Sequence, residues 1–231
     1  MQGYKETKRV WDDLCGKVLA QYLRVIGLSR SFGYSLSKAV TSRDLTAVAT
    51  TTTMAVTPLS SLRVSRHYIP RFDLTPNTSI QNHPLLIYHA CFPQSTSASA
   101  IESHLQSLGV VVPHWRYTMY STSHFHSTTH EVLCIAAGRA NLCFGGEDNP
   151  GRVVTEIKKG DVVIIPAGVA HRLLEDLDGG FLMVGSYPKG KSWDMCYGGE
   201  DERNKIDRIK DMGWFTKDPI YGDEGPVLAL S

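Results

Sequence analysis

The stretch HFHSTTHEVLCIAAG, His124 to Gly138, sets two histidines two residues apart, adds a third histidine and a glutamate, and runs on into a continuous apolar segment. In a β-strand residues two apart face the same side. His124 and His126 therefore project together while Phe125 faces away, and two imidazoles at that spacing can close on one ion. Glu131 opens the strand-like run EVLCIAAG, and a turn through STTH can fold its carboxylate back toward the pair. His130 is harder to place. If Glu131, Leu133 and Ile135 share one face of the strand, His130 faces the other unless the turn is distorted.

A second stretch, GDVVIIPAGVAHRLLE from Gly160 to Glu175, has the same logic. Gly160-Asp161 reads as a tight turn and Val162 to Ile165 as a buried strand. Pro166-Ala-Gly168 then bends the chain, since proline cannot donate to a ladder and glycine tolerates unusual torsions. The bend brings His171 in from a neighbouring strand.

Around these stretches lie further short β-rich runs separated by turn residues: RVSRHYI, PLLIYHA, ANLCFGG, RVVTEI and FLMVGSY. Many short strands at near-regular spacing predict an all-β sandwich or barrel. One helix interrupts them. Ser99-Ala-Ile-Glu102 has the pattern of a capping box, Ile101, Leu105 and Leu108 form a stripe, and Gly109 is placed to end it. A polar helix is expected over roughly Glu202 to Met212.

The first 53 residues are of another kind. Trp11 to Ile26 carries apolar residues at helical spacing, and the Ser-, Thr- and Ala-rich stretch that follows has little capacity to form a core. Residues 1–53 are expected to be a poorly ordered extension, with the folded domain at 54–231. Between Leu14 and Phe72 the sole acidic residue is Asp44, a habit of mitochondrial transit peptides, against which stand Glu6, Asp12 and Asp13. A cytoplasmic location is the leading expectation, with a mitochondrial one as the minor alternative.

Composition narrows the function. The 231 residues are 42% hydrophobic, enough for a substantial core, and a net charge of +1 gives no field for nucleic acid or an acidic membrane surface. No apolar run reaches the roughly 18 residues needed to cross a bilayer. The five cysteines are scattered and odd in number, without a C-x-x-C pair, as expected of reduced thiols. Cys134 and Cys143 read as small buried hydrophobes. The sequon at Asn77 reads as chance.

Together the two stretches give H-x-H-x-x-x-x-E-x-x-x-x-x-x-G and G-x-x-x-x-x-P-x-G-x-x-H. This pair resembles the two motifs of the cupin superfamily, double-stranded β-helix barrels of jelly-roll type. It departs at its tail, where the family often has Asn a few residues past the last histidine and this chain has Glu175. The run WRYTMYSTSHFHSTTHEVL and the tail GSYPKGKSWDMCYG with DPIYGDEGP are similar to the YjlB-like group of single-domain cupins. The resemblance implies a barrel core over about 80–187 with a tail at 188–231, and His124, His126, Glu131 and His171 as metal ligands. It implies one divalent transition metal, Fe(II) favoured and Mn, Ni, Zn or Cu as alternatives, and a possible homodimer.

For His130 a helper role is expected, orienting ligands or substrate, and Tyr120 is a second candidate to move a proton. Trp115, Arg116 and Tyr117 precede the ligands and are candidates to line the mouth, with barrel packing as the plainer role for Trp115. Trp193, Asp194 and Met195 are placed to close one end. The leading function is a mononuclear non-haem oxygenase or oxidoreductase acting on a small molecule, since histidine and carboxylate ligands with open positions suit Fe(II) and O₂. The alternatives are a metal-dependent sugar or keto-acid isomerase or epimerase, and a non-catalytic small-molecule-binding cupin.

Overall fold

A computed structural model describes residues 55–229. These residues belong to one compact unit, Thr51–Ser231. The expected extension at 1–53, its amphipathic helix and its targeting alternative lie outside the described residues.

Among the described residues nine strands carry this unit: β1 (Arg63–His67), β2 (Leu85–His89), β3 (Val111–Tyr117), β4 (Glu131–Ala137), β5 (Arg139–Phe144), β6 (Val153–Lys158), β7 (Val162–Ile165), β8 (His171–Asp176) and β9 (Leu182–Pro188). They form two antiparallel sheets, of order β1-β2-β7-β4-β9-β3 and β6-β5-β8. The expected strands all form, and the fold is the double-sheet β-structure that the resemblance implied.

Strand alternation sorts the six-stranded sheet into two buried faces. Leu85, Ile87, Leu133, Ile135, Val163, Ile165 and Met183 pack toward Ala140, Leu142, Phe144 and Ile157 of the small sheet. The intervening Leu86, Tyr88, Val132, Cys134, Val162, Ile164 and Val184 pack the other way, against helix α1 (Ala98–Leu108) through Ile101 and Leu105, and against Phe215, Ile220 and Val227 of the tail. With both faces covered, the central strands read as unbroken apolar runs instead of alternating ones.

Two helical expectations need correction. The N-cap of α1 is Ser97, whose hydroxyl accepts the Ala100 N–H, not Ser99. Glu102, the residue that completed the expected box, instead forms a two-pronged ion pair with Arg116 at 2.6 Å. Gly109 does end the helix, in the left-handed conformation at φ 67°. The polar helix expected at 202–212 is three short pieces: a 3₁₀ turn at Glu200–Glu202, α2 (Arg203–Asp207) and a 3₁₀ turn at Arg208–Asp211, with Ile206 and Ile209 buried.

Cys91, Cys134, Cys143 and Cys196 are unpaired and buried. Among the described residues, no helix is long and apolar enough to cross a membrane.

Candidate metal centre

His124 and Phe125 lie outside the nine strands, in isolated β-bridges, and with His126 they are clamped on both sides by backbone hydrogen bonds. His124 and His171 exchange N–H···O=C bonds at 3.3 and 2.9 Å, and the Gly168 N–H donates to the His126 carbonyl at 2.9 Å. On the other side Phe125 and Cys196 exchange bonds at 2.9 Å. The bend that makes this possible is the expected one. Gly168 sits at φ 89°, where a Cβ would lie 2.8 Å from Pro76.

The pairing puts His124 directly opposite His171, with ring centroids 4.3 Å apart, while His126 lies 5.5 and 5.3 Å from the two. One nitrogen from each of the three rings lies within 4.8 Å of the other two, and all three side chains are buried. Phe125 faces away, into a small cluster with Ala170, Cys196 and Ile206.

Each imidazole is held by its Nδ1. The Nδ1–H of His124 donates to the Thr122 carbonyl at 2.9 Å, that of His171 to the Val169 carbonyl at 3.0 Å, and that of His126 to the Asp194 carbonyl. A carbonyl can only accept, so the proton sits on Nδ1 and the Nε2 lone pairs remain for a ligand.

Glu131, 3% exposed, lies beside them at the head of β4. Its Oε2 is 3.3 Å from His171 Nε2 and its Oε1 is 3.6 Å from His126 Nε2. Burial alone would raise its pKa, but the His126 and His171 rings and the Tyr187 hydroxyl hold it at about 2. Burial pushes His171 down to about 3 and lowers His124; it also acts downward on His126, where Glu131 and Asp194 together overcome it and leave the pKa raised. The centre thus combines imidazoles aimed through Nε2 with one anionic carboxylate. That donor set fits Fe, Mn, Ni, Zn or Cu.

The structure separates the other sequence candidates. His130 faces the opposite side of the sheet: its Nδ1 accepts the Ala167 N–H at 3.0 Å, its Nε2–H donates to the Gly213 carbonyl at 3.1 Å, and its ring lies against Trp214 and Phe215. Both nitrogens being engaged there, the helper role expected for it has no free atom. Tyr120 does reach the centre, its ring 5.6 Å from His124, and the Tyr117 ring lies tilted beside Tyr120 at 5.9 Å. Arg116 is not brought there; it is tied to Glu102 and Ser99 of α1. Trp115 lies one layer behind the ligands and donates its indole N–H to Tyr187 at 2.9 Å. Trp193 sits 6.0 Å from the His126 ring.

Three supporting residues escaped the sequence reading of roles. Tyr187 donates to Glu131 Oε1 at 2.9 Å. Asp194 was considered only as a lid, yet its carbonyl holds His126 while its carboxylate accepts from the Ser127 N–H and hydroxyl, both at 2.7 Å. Asn77, read as part of a chance sequon, is buried. Its amide donates to the Pro70 and Gly145 carbonyls and its oxygen accepts the Ala170 N–H, fixing the residue just before His171. The one available signal was chemical: Asn is among the few residues that tolerate its left-handed φ of 49°. An open cleft of about 220 Å³, lined in part by Phe72, Ser123, Ala170 and Tyr197, touches His124 alone of the four proposed ligands.

The Cupin family model matches residues 89–174, a span that contains all four of these ligands. The uncharacterized protein YjlB of Bacillus subtilis (strain 168) is 33% identical over 157 residues, covering 65% of this chain and 89% of that protein. Among solved structures, a mutant of Bacillus subtilis oxalate decarboxylase aligns at 16% identity and a TM-score of 0.29, over 49% of this chain and 27% of that one. Procruciferin, an 11S globulin from Brassica napus, aligns at 11% identity and 0.28, over 55% and 30%. The chain spans less than a third of either structure's length.

Proposed function

The chain belongs to the cupin family, in its YjlB-like group, and on that premise we propose that it is a mononuclear metal-dependent oxygenase or oxidoreductase of a small molecule. His124, His126 and His171 would hold one divalent transition metal through Nε2, with Glu131 as the fourth ligand and Fe(II) as the favoured ion. The observation that carries the reading is the set of three buried imidazoles, each fixed through Nδ1 with Nε2 turned to a common centre beside a carboxylate.

When bound, such an ion supplies an open position for a chelating substrate and for O₂ chemistry. The chain's own contribution is to bury the centre, fix the tautomer of every ligating ring and keep Glu131 ionised. Tyr120 beside His124 and Trp193 beside His126 give a substrate two aromatic neighbours.

The isomerase reading needs a side chain that moves a proton. His130, one of its two candidates, has both nitrogens engaged on the far face of the sheet, which leaves Tyr120 as the one group near the centre on which that reading rests. The test is oxygen uptake by the Fe(II)-loaded protein over catechols, 1,2-diketones and thiols, with His124→Ala as control. Uptake that is lost in the variant supports the oxygenase. Turnover of a sugar or keto acid that persists without O₂, with Zn or Mn, would replace it with the isomerase. Turnover unchanged in His124→Ala and His171→Ala, with only the melting temperature lowered, would favour a binding module.

A further inference from the structure

We propose that Tyr187 and Trp115 are positioning residues that decide how Glu131 meets the metal: they occupy Oε1 and present Oε2. This rests on the metal-binding reading above and goes beyond it by assigning each carboxylate oxygen a task.

The direction of the hydrogen bonds follows from donor chemistry. An indole N–H can only donate, and Trp115 Nε1 gives its hydrogen to the Tyr187 hydroxyl oxygen at 2.9 Å. A tyrosine hydroxyl has one proton, and with its oxygen accepting from Trp115, that proton is directed to Glu131 Oε1, also at 2.9 Å. The chain of bonds therefore runs one way, from Trp115 through Tyr187 to a carboxylate that accepts. Tyr187 is 1% exposed and Glu131 3%, so bulk water does not compete, and a bond to a charged acceptor in such surroundings is stronger than at the surface.

The sheet register builds this arrangement. Trp115 on β3 pairs with Gly185 on β9, and Tyr187 lies two residues further along the same face of β9. A Cβ on Gly185 would lie 2.0 Å from the indole ring, so only glycine there lets the ring lie against β9 and reach Tyr187. The spacing Gly185-x-Tyr187 is thus a device for holding Trp115 against the tyrosine.

Oε1 is engaged by the phenol and also lies 3.6 Å from His126 Nε2, whereas Oε2, 3.3 Å from His171 Nε2, accepts no hydroxyl hydrogen and is the oxygen assigned to an ion at the common centre. Glu131 would then hold the ion through one oxygen, which would leave further positions for a substrate. Without the phenol the carboxylate is free to rotate, to bind through both oxygens, or to pair with His126 in place of the ion.

The experiment uses the full chain stripped with a chelator and titrated with Mn(II), read by calorimetry and by electron paramagnetic resonance. Tyr187→Phe is expected to weaken Mn(II) binding roughly 10- to 100-fold and to change the zero-field splitting of the bound ion. Trp115→Phe is expected to do the same to a smaller degree. Unchanged affinity and spectrum in Tyr187→Phe, with only the metal-free melting temperature lowered, would overturn the proposal while leaving the metal site intact. If Tyr187→Phe does not fold, Trp115→Phe decides by the same two readouts. If the wild-type chain binds no Mn(II), Fe(II) or Zn(II), the metal reading itself falls and takes this proposal with it.

Discussion

Replacing Gly185 with alanine tests the link between the sheet and the metal centre at its tightest point. The added methyl would stand 2.0 Å from Trp115 Cε2 and Cζ2 and 2.5 Å from Cη2. Carbon atoms rest about 3.5 to 4.0 Å apart, so the indole has to retreat by roughly 1.5 Å or swing out. Either movement opens the 2.9 Å bond from Trp115 to Tyr187. Overpacking of this kind costs about 1–3 kcal/mol, and the lost bond adds about 1 kcal/mol. The expected loss is therefore about 2–4 kcal/mol, which for a domain of this size lowers the melting temperature by roughly 5–15 °C. Calorimetry on the metal-free protein measures it, with Gly180→Ala as control, since a Cβ at Gly180 meets nothing within 4 Å. A Gly185→Ala protein that melts within about 2 °C of wild type would show that the indole does not lie on β9, and the reasoning about Tyr187 would lose its support.

Two further outcomes are expected. Asp218→Asn should cost about 2–5 kcal/mol in urea unfolding. Asp218 Oδ1 accepts from the Ile220 and Tyr221 N–H groups and Oδ2 from the Tyr88 hydroxyl and the Val227 N–H, and an amide leaves one of those pairs of donors without an acceptor. A loss under about 1 kcal/mol contradicts it. Acid should destabilise the metal-free protein through His130, whose buried ring is held down to about 4 from 6.5. The unfolded chain takes up a proton near pH 6.5 that the native ring refuses. The contribution is therefore whole above that pH and falls away toward pH 4, by about 3 kcal/mol over the window. His130→Gln should flatten the decline between pH 7 and pH 4.5, and equal slopes in the two proteins would refute the assignment.

What could be read from the sequence was local. The alternation of β4 placed Glu131, Leu133 and Ile135 on one face and therefore His130 on the other, which is where the structure puts it. Pro166 and Gly168 announced the bend that delivers His171, and the two motifs together identified the family. What could not be read depends on pairing between distant segments. Gly185 and Tyr187 gain meaning only once β3 is known to lie against β9 with Trp115 opposite Gly185. Asp194 reaches His126 from 68 residues away. The capping box expected at Ser99 gave way to a cap at Ser97, because Glu102 pairs with Arg116, a residue outside the helix that its sequence neighbours do not reveal.

The central claim is that His124, His126 and His171, with Glu131, hold a metal. Elemental analysis of the gently purified protein, followed by titration of the stripped chain with Fe(II), Mn(II) and Zn(II), tests it most directly. The account expects one transition metal ion per chain, lost together with saturable binding in the double variant His124→Ala, His171→Ala. Wild-type protein that retains no ion and takes up none, or a double variant that binds as well as wild type, would contradict it.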